Sequence, residues 1–205
     1  MKPQEIESLS FQIIDREAGA HGFDAAQWEI VRRMIHTSAD FEYMETVRFH
    51  PQAISRGIEA IQGGKAVITD TEMARAGIRK AAIEALGGSV SCLIGRPDIR
   101  MYAEKAGITR AKAAVDMALP LLAGGIYVIG NAPTALLRLI EQVQAGEAHP
   151  TLVIGLPVGF VNAAESKAAL LDLDIPFITN VGRKGGSNVA ASVVNALVIM
   201  AGRSA

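Results

Sequence analysis

The sequence predicts a three-layer α/β/α sandwich on a mostly parallel sheet, with an N-terminal helical extension. Three observations carry this. From Lys65 onward, short apolar runs alternate with longer segments of helical period. The runs are continuously apolar rather than alternating, as strands covered on both faces are. Residues 1–62 show helical spacing and no such run. With 205 residues, half of them hydrophobic, the chain suits one domain with a sizeable core and is too apolar for intrinsic disorder.

The elements follow in order. Gln4 to Glu17 places Ile6, Leu9, Ile13 and Ile14 at helical spacing. Asp24 is an N-cap residue for a second helix, Ala25 to Ala39, with Trp28, Val31 and Ile35 near one face. Pro51 fits the first turn of a third, which ends before Gly63-Gly64. Strands are expected at AVITD (66–70), SVSCLIG (89–95), GIYVIG (125–130), TLVIG (151–155) and PFITN (176–180). Helices fill 72–86, 99–122 in two pieces, 133–145, 160–172 and 187–201.

Composition excludes several classes. The 20 Lys and Arg against 21 Asp and Glu, with 5% aromatic residues, leave neither the basic footprint nor the stacking platform of a nucleic-acid binder. One cysteine, Cys92, excludes an internal disulfide and favours a reducing, cytoplasmic setting. The start, MKPQEIESLSFQIIDRE, has no apolar stretch of the signal-peptide kind. Two uncharged runs raise the question of a membrane. Residues 117–137 are interrupted by Pro120, Gly124-Gly125, Gly130-Asn131 and Pro133. Residues 185–202 carry a polar stripe of Asn188, Ser192 and Asn195, which suits a buried helix or a subunit contact better than lipid.

The informative residues follow the strands. Thr69-Asp70-Thr71, Gly95-Arg96-Pro97, Gly130-Asn131-Ala132-Pro133, Gly155-Leu156-Pro157-Val158-Gly159 and Gly182-Arg183-Lys184-Gly185-Gly186-Ser187 would all gather at the carboxyl edge, where ligands of doubly wound sheets bind. The last turn combines two glycines, two cations and Ser187 as a cap for the next helix, an arrangement suited to an anion. Any one such loop also takes Gly, Pro and Asn for turn geometry alone. No GxxxxGK[ST] or strand-linked GxGxxG occurs, so nucleotide fingerprints are missing. In GLPVG, Pro157 stands where a nucleophile elbow needs serine. Cys92 lies in an apolar strand and reads as core.

No two of His21, His36, His50 and His149 have metal-ligand spacing, so no metal is expected. His21 and His149 read as exposed loop residues. His36 lies at the end of the second helix, one turn before Asp40. The helix dipole and Asp40 attract a cation there, while Arg32 opposes. Two readings stand: a general acid, or a capping or ion-paired surface histidine.

Taken together, MIHTSADFEY (34–43), ITDTEMARAGI (68–78), VIGNAPTALLRLIE (128–141), GLPVGFVNAAESK (155–167) and GRKGGSNVAA (182–191) resemble the precorrin-8X methylmutase family, in order from about Ile6 to Leu197. The resemblance implies an isomerase of cobalamin biosynthesis, cytoplasmic and without a cofactor. It would move a methyl group from C11 to C12 of a corrin-precursor ring to give hydrogenobyrinate or its cobalt counterpart. It also implies an α/β/α sandwich and a homodimer with its site near the subunit interface. Residue by residue, the resemblance places the catalytic histidine on His36. Substrate contacts fall on Ser10 of SFQII, Arg96, Arg110, the turn holding Asn131, Ala132 and Thr134, and the loop Arg183, Lys184, Gly185 and Gly186. It assigns no role to Asp40. A sigmatropic shift within one molecule needs no donor or nucleotide. Arginines and helix N-termini suit the carboxylates around a tetrapyrrole rim. A non-catalytic corrinoid carrier on the same scaffold is the alternative, and a phosphate-binding α/β enzyme using Arg183 to Ser187 is a third reading.

Overall fold

A computed structural model describes residues 2–203. Helix α1 (Pro3–Ala18) begins on its proline, and α2 (Ala25–Ser38) begins on Asp24, whose carboxylate accepts from Gln27 N at 2.8 Å. A short helix α3 (Tyr43–Thr46) leads straight into strand β1 (Val47–Phe49). Helix α4 (Ala53–Gln62) follows, then β2 (Ala66–Thr69), α5 (Glu72–Gly77), α6 (Lys80–Ala85) and β3 (Ser89–Cys92). Next come α7 (Pro97–Ala106), α8 (Arg110–Ala118) with a 3-10 turn at Leu119–Leu121, and β4 (Ile126–Ile129). The chain closes with α9 (Pro133–Gln144), β5 (Leu152–Gly155), α10 (Ala163–Leu171), β6 (Phe177–Asn180) and α11 (Ser187–Arg203).

The six strands form one sheet in the order β1-β6-β5-β4-β2-β3, parallel except for β1, which runs antiparallel to β6. The chain steps outward from β2 to β3, then reverses to lay β4, β5 and β6 on the other side of β2. With right-handed crossovers, reversing direction moves the connecting helices to the opposite face. The packing agrees. Val67, Val128, Leu152, Ile154 and Ile178 join one core with α2, α4, α6 and α11, whereas Ile68, Tyr127, Ile129, Val153 and Phe177 join another with α7, α8, α9 and α10. Adjacent strand residues thus point to opposite cores, as the period of two requires, and the continuous apolar runs are explained. The three-layer sandwich read from the sequence is what the chain forms.

Four local expectations are corrected. The stretch read as wholly helical contains β1, with Val47 opposite Asn180 and Phe49 opposite Ile178. Three residues are too few for a periodicity to register. Pro51 lies in the turn before α4 rather than inside it. The predicted helix 72–86 breaks after Gly77 because Asn195 of α11 takes over the backbone there. Its amide oxygen accepts from Arg79 N at 2.9 Å, and its amide nitrogen donates to Gly77 O at 2.9 Å. That accounts for one member of the polar stripe on the last helix. The helix predicted from residue 160 starts only at Ala163, because residues 156–162 form a rim loop. Among the described residues, no helix is long and apolar enough to cross a membrane.

Candidate active site

The strand ends gather as the topology requires, and a buried carboxylate organises them. Asp70, just past β2, is 3% exposed. Its two oxygens accept from the backbone N–H groups of Gly130 (2.9 Å), Asn131 (2.9 Å) and Ala132 (2.8 Å). Burial pushes the carboxyl upward, and these three donors pull it back. The turn placed at the ligand-binding edge therefore spends these backbone donors on Asp70. What Asn131 and Thr134 can present outward are their side chains. Gly130 is needed for close approach: a Cβ there would lie 2.6 Å from Ser187 Cα. Ser187 was expected to cap the last helix. It begins that helix, and its hydroxyl pairs with Thr71 Oγ1 at 2.8 Å, joining α11 to the N-cap of α5.

The loop 181–186 is also built from within. Gly186 N donates to Leu156 O at 2.9 Å, and Gly159 N donates to Arg183 O at 3.2 Å. A Cβ on Gly185 would press on the Leu156 and Pro157 carbonyls, so only glycine fits. Outward-facing chemistry is left to Arg183 and Lys184. Lys184 Nζ meets Asp40 Oδ2 at 2.6 Å and Glu42 Oε2 at 2.7 Å, which raises its own pKa and holds the Asp40 carboxyl below the usual range. Asp40, read from the sequence as a neighbour for His36, thus pairs with Lys184 and ties the end of α2 to the β6 rim.

His36 stands exposed on the last turn of α2. Its ring lies 5.0 Å from that of Phe11. The guanidiniums of Arg32 and Arg33 lie over the same Phe11 ring, 4.5 and 5.0 Å from its centre. Ser10 and His36 line one cavity of about 390 Å³ with Ile13, Glu17, Ile35 and Phe41. Ser10 Oγ donates to Ile6 O at 2.9 Å, leaving its lone pairs to the cavity. The helix ends here because Ala39 turns left-handed (φ 53°) and closes on Ile35 O at 2.7 Å.

The other two predicted contacts lie apart. Arg96 follows β3 at the far edge of the sheet and is paired with Asp98. Four strand spacings separate β3 from β6, about 19 Å. Arg110 opens α8 and lines a separate cavity of about 340 Å³ with Arg100, Ala103, Glu104 and Ile108. Cys92 is half-buried, and burial pushes its thiol up, away from nucleophilic character. Among the described residues no cluster of three or more His, Cys, Asp or Glu could hold a metal.

One buried cation escaped the sequence reading. Lys167 of α10 is 1% exposed, and its Nζ donates to Asn180 Oδ1 (3.0 Å) and Lys184 O (2.6 Å), which anchors the basic loop from beneath. Burial pushes its pKa down to about 8 from 10.5. The folded state therefore binds fewer protons than the unfolded chain between these values, so stability rises with pH across that window and falls back as pH drops through 8. The gain is about 3 kcal/mol at roughly 1.36 kcal/mol per pH unit. Urea unfolding at a series of pH values should show this slope in the wild type and its loss in Lys167→Met. Equal slopes would refute the assignment.

A basic, strand-end rim beside an exposed histidine suits an anionic ligand and a proton donor, and similarity to known proteins places the chain among the methylmutases, isomerases that move a methyl group within one molecule. The CbiC precorrin-8X methylmutase model matches residues 5–200, and the chain belongs to the precorrin-8X methylmutase family. It is 50% identical to the cobalt-precorrin-8 methylmutase of Priestia megaterium over 98% of this chain and 89% of that protein. It is 37% identical to the precorrin-8X methylmutase of Pseudomonas aeruginosa, covering 95% and 94%. The crystal structure of the precorrin-8X methylmutase from Thermus thermophilus superposes with a TM-score of 0.91 at 43% identity, covering 98% and 97%.

Proposed function

We propose that this chain moves the methyl group of precorrin-8X or cobalt-precorrin-8 from C11 to C12, giving hydrogenobyrinate or cobyrinate, with His36 as proton donor. The observation that carries the reading is the union of Ser10 and His36 in one cavity, tied through Asp40 and Lys184 to the basic β6 rim. The bond from the methyl to C11 breaks as that to C12 forms in the same molecule, so no second reactant enters. His36 donates a proton to a ring nitrogen, steers the electron distribution of the rearranging system and regains a proton once the methyl has moved, so the isomerisation is proton-neutral, while Arg183 at the rim meets peripheral carboxylates. Asn131 and Thr134 supply side-chain contacts, with the Gly185–Gly186 backbone allowing close approach.

At about 390 Å³ the His36 cavity lies near the low end of ligand sites, roughly 300–1,000 Å³, and takes only part of so large a ring. That supports a homodimer in which Arg96 and Arg110 of a second copy complete the site, since one copy holds them far from His36. We place this enzyme in the cytoplasm. Labelling the migrating methyl with carbon-13 tests the reaction: its resonance should move from that of a methyl on C11 to one on C12. An unmoved label in a substrate that has bound would leave a corrinoid carrier as the reading.

A further inference from the structure

The most exposed apolar surface on the rim is the loop after β5. Phe160 is 86% exposed, Val161 76% and Val158 41%, and Val181 of the neighbouring loop is 45% exposed. Single exposed apolar residues are ordinary, but four on two adjoining loops form a patch. The loop is built rather than frayed. Leu156 and Pro157 are buried, Gly159 (φ 145°) and Asn162 (φ 60°) take left-handed conformations, and Gly159 N is bonded to Arg183 O. A non-glycine residue such as Asn162 holds that conformation at a cost, which the surrounding structure sustains. The Arg183 guanidinium lies 5.6 Å from the Phe160 ring centre. The same segment, through Lys184, reaches Asp40 beside the His36 turn. An apolar face edged by one cation is complementary to a broad ring that is apolar on its face and anionic at its rim.

We propose that Phe160, with Val158 and Val161, is the platform on which the face of the substrate macrocycle lies, and that Arg183 beside it takes a rim carboxylate. The inference rests on the methylmutase reading and adds a specificity-determining residue to it. Phe160 donates no hydrogen bond and is open to solvent, so its removal leaves the fold alone.

Titration of the full-length protein with hydrogenobyrinate, followed by the corrin absorption bands, tests this. Phe160→Ala should raise Kd about tenfold to a hundredfold, with the loss in KM rather than kcat, and Phe160→Tyr should restore it. Arg183→Gln should weaken binding and flatten its salt dependence. Sedimentation and circular dichroism should match the wild type for each variant. An unchanged Kd in Phe160→Ala overturns the platform. So does loss of an oligomer in step with affinity, which would assign the patch to a second copy of the chain. A wild type that neither binds nor converts the corrin precursors overturns the methylmutase reading and the platform together, whereas wild-type turnover matched by Phe160→Ala overturns the platform alone.

Discussion

Asp70→Ala is expected to lower the unfolding free energy by about 4 kcal/mol, a large share of the roughly 5–15 kcal/mol available to a domain. The carboxylate satisfies the N–H groups of Gly130, Asn131 and Ala132. Leaving a buried donor unpaired costs about 1–3 kcal/mol. Gly130 is buried and bears the full penalty, while exposed Asn131 and half-buried Ala132 regain water in part. Asp70→Asn should cost about half as much. Its amide offers one acceptor oxygen, and its NH2 group turns a donor toward a donor. Because this turn starts α9 and packs against Ser187, the loosening reaches both loops of the rim. Urea unfolding of the three proteins measures the order. Equal stability of wild type and Asp70→Ala would mean the carboxylate holds nothing.

His36→Ala is expected to lower kcat by about 10²–10⁴-fold, the usual contribution of one positioned acid. Hydrogenobyrinate affinity should change little, because the rim cation and the Phe160 loop lie outside the substitution. His36 is exposed and its ring lies tilted against that of Phe11, so stability is expected to stay within about 1 kcal/mol. His36→Asn keeps a hydrogen-bond donor of similar reach but cannot release a proton at neutral pH. If Asn restores the rate, hydrogen bonding rather than proton donation is what the histidine supplies. The pair of variants therefore separates the two roles.

Much of the fold was legible because its signals are local. Continuous apolar runs such as 126–129 and 152–154 face two cores at once and could only be central strands. The break between α5 and α6 was not legible, since residues on both sides keep helical spacing and its cause, Asn195, lies 116 residues from Arg79. Strand β1 was missed for a related reason. Its identity comes from pairing with β6, more than a hundred residues away in the chain, rather than from its own three side chains. The site divides in the same way. Ser10 and His36 were recognisable from their motifs, and the structure brings them to one cavity. Asp70 was read only as part of a strand-end turn, and Lys167 was not singled out, because a buried charge declares its purpose only through the donors or acceptors that fold against it. A charged residue ending an apolar strand, as Asp70 ends AVITD, was the available signal.

The most direct measurement is the number of precorrin-8X molecules converted per chain, read from the visible spectrum at substoichiometric protein, for the wild type and for His36→Ala. The account predicts many corrins formed per wild-type chain and a rate at least about a hundredfold lower for the variant. No more than one per wild-type chain, or full activity without His36, would contradict it.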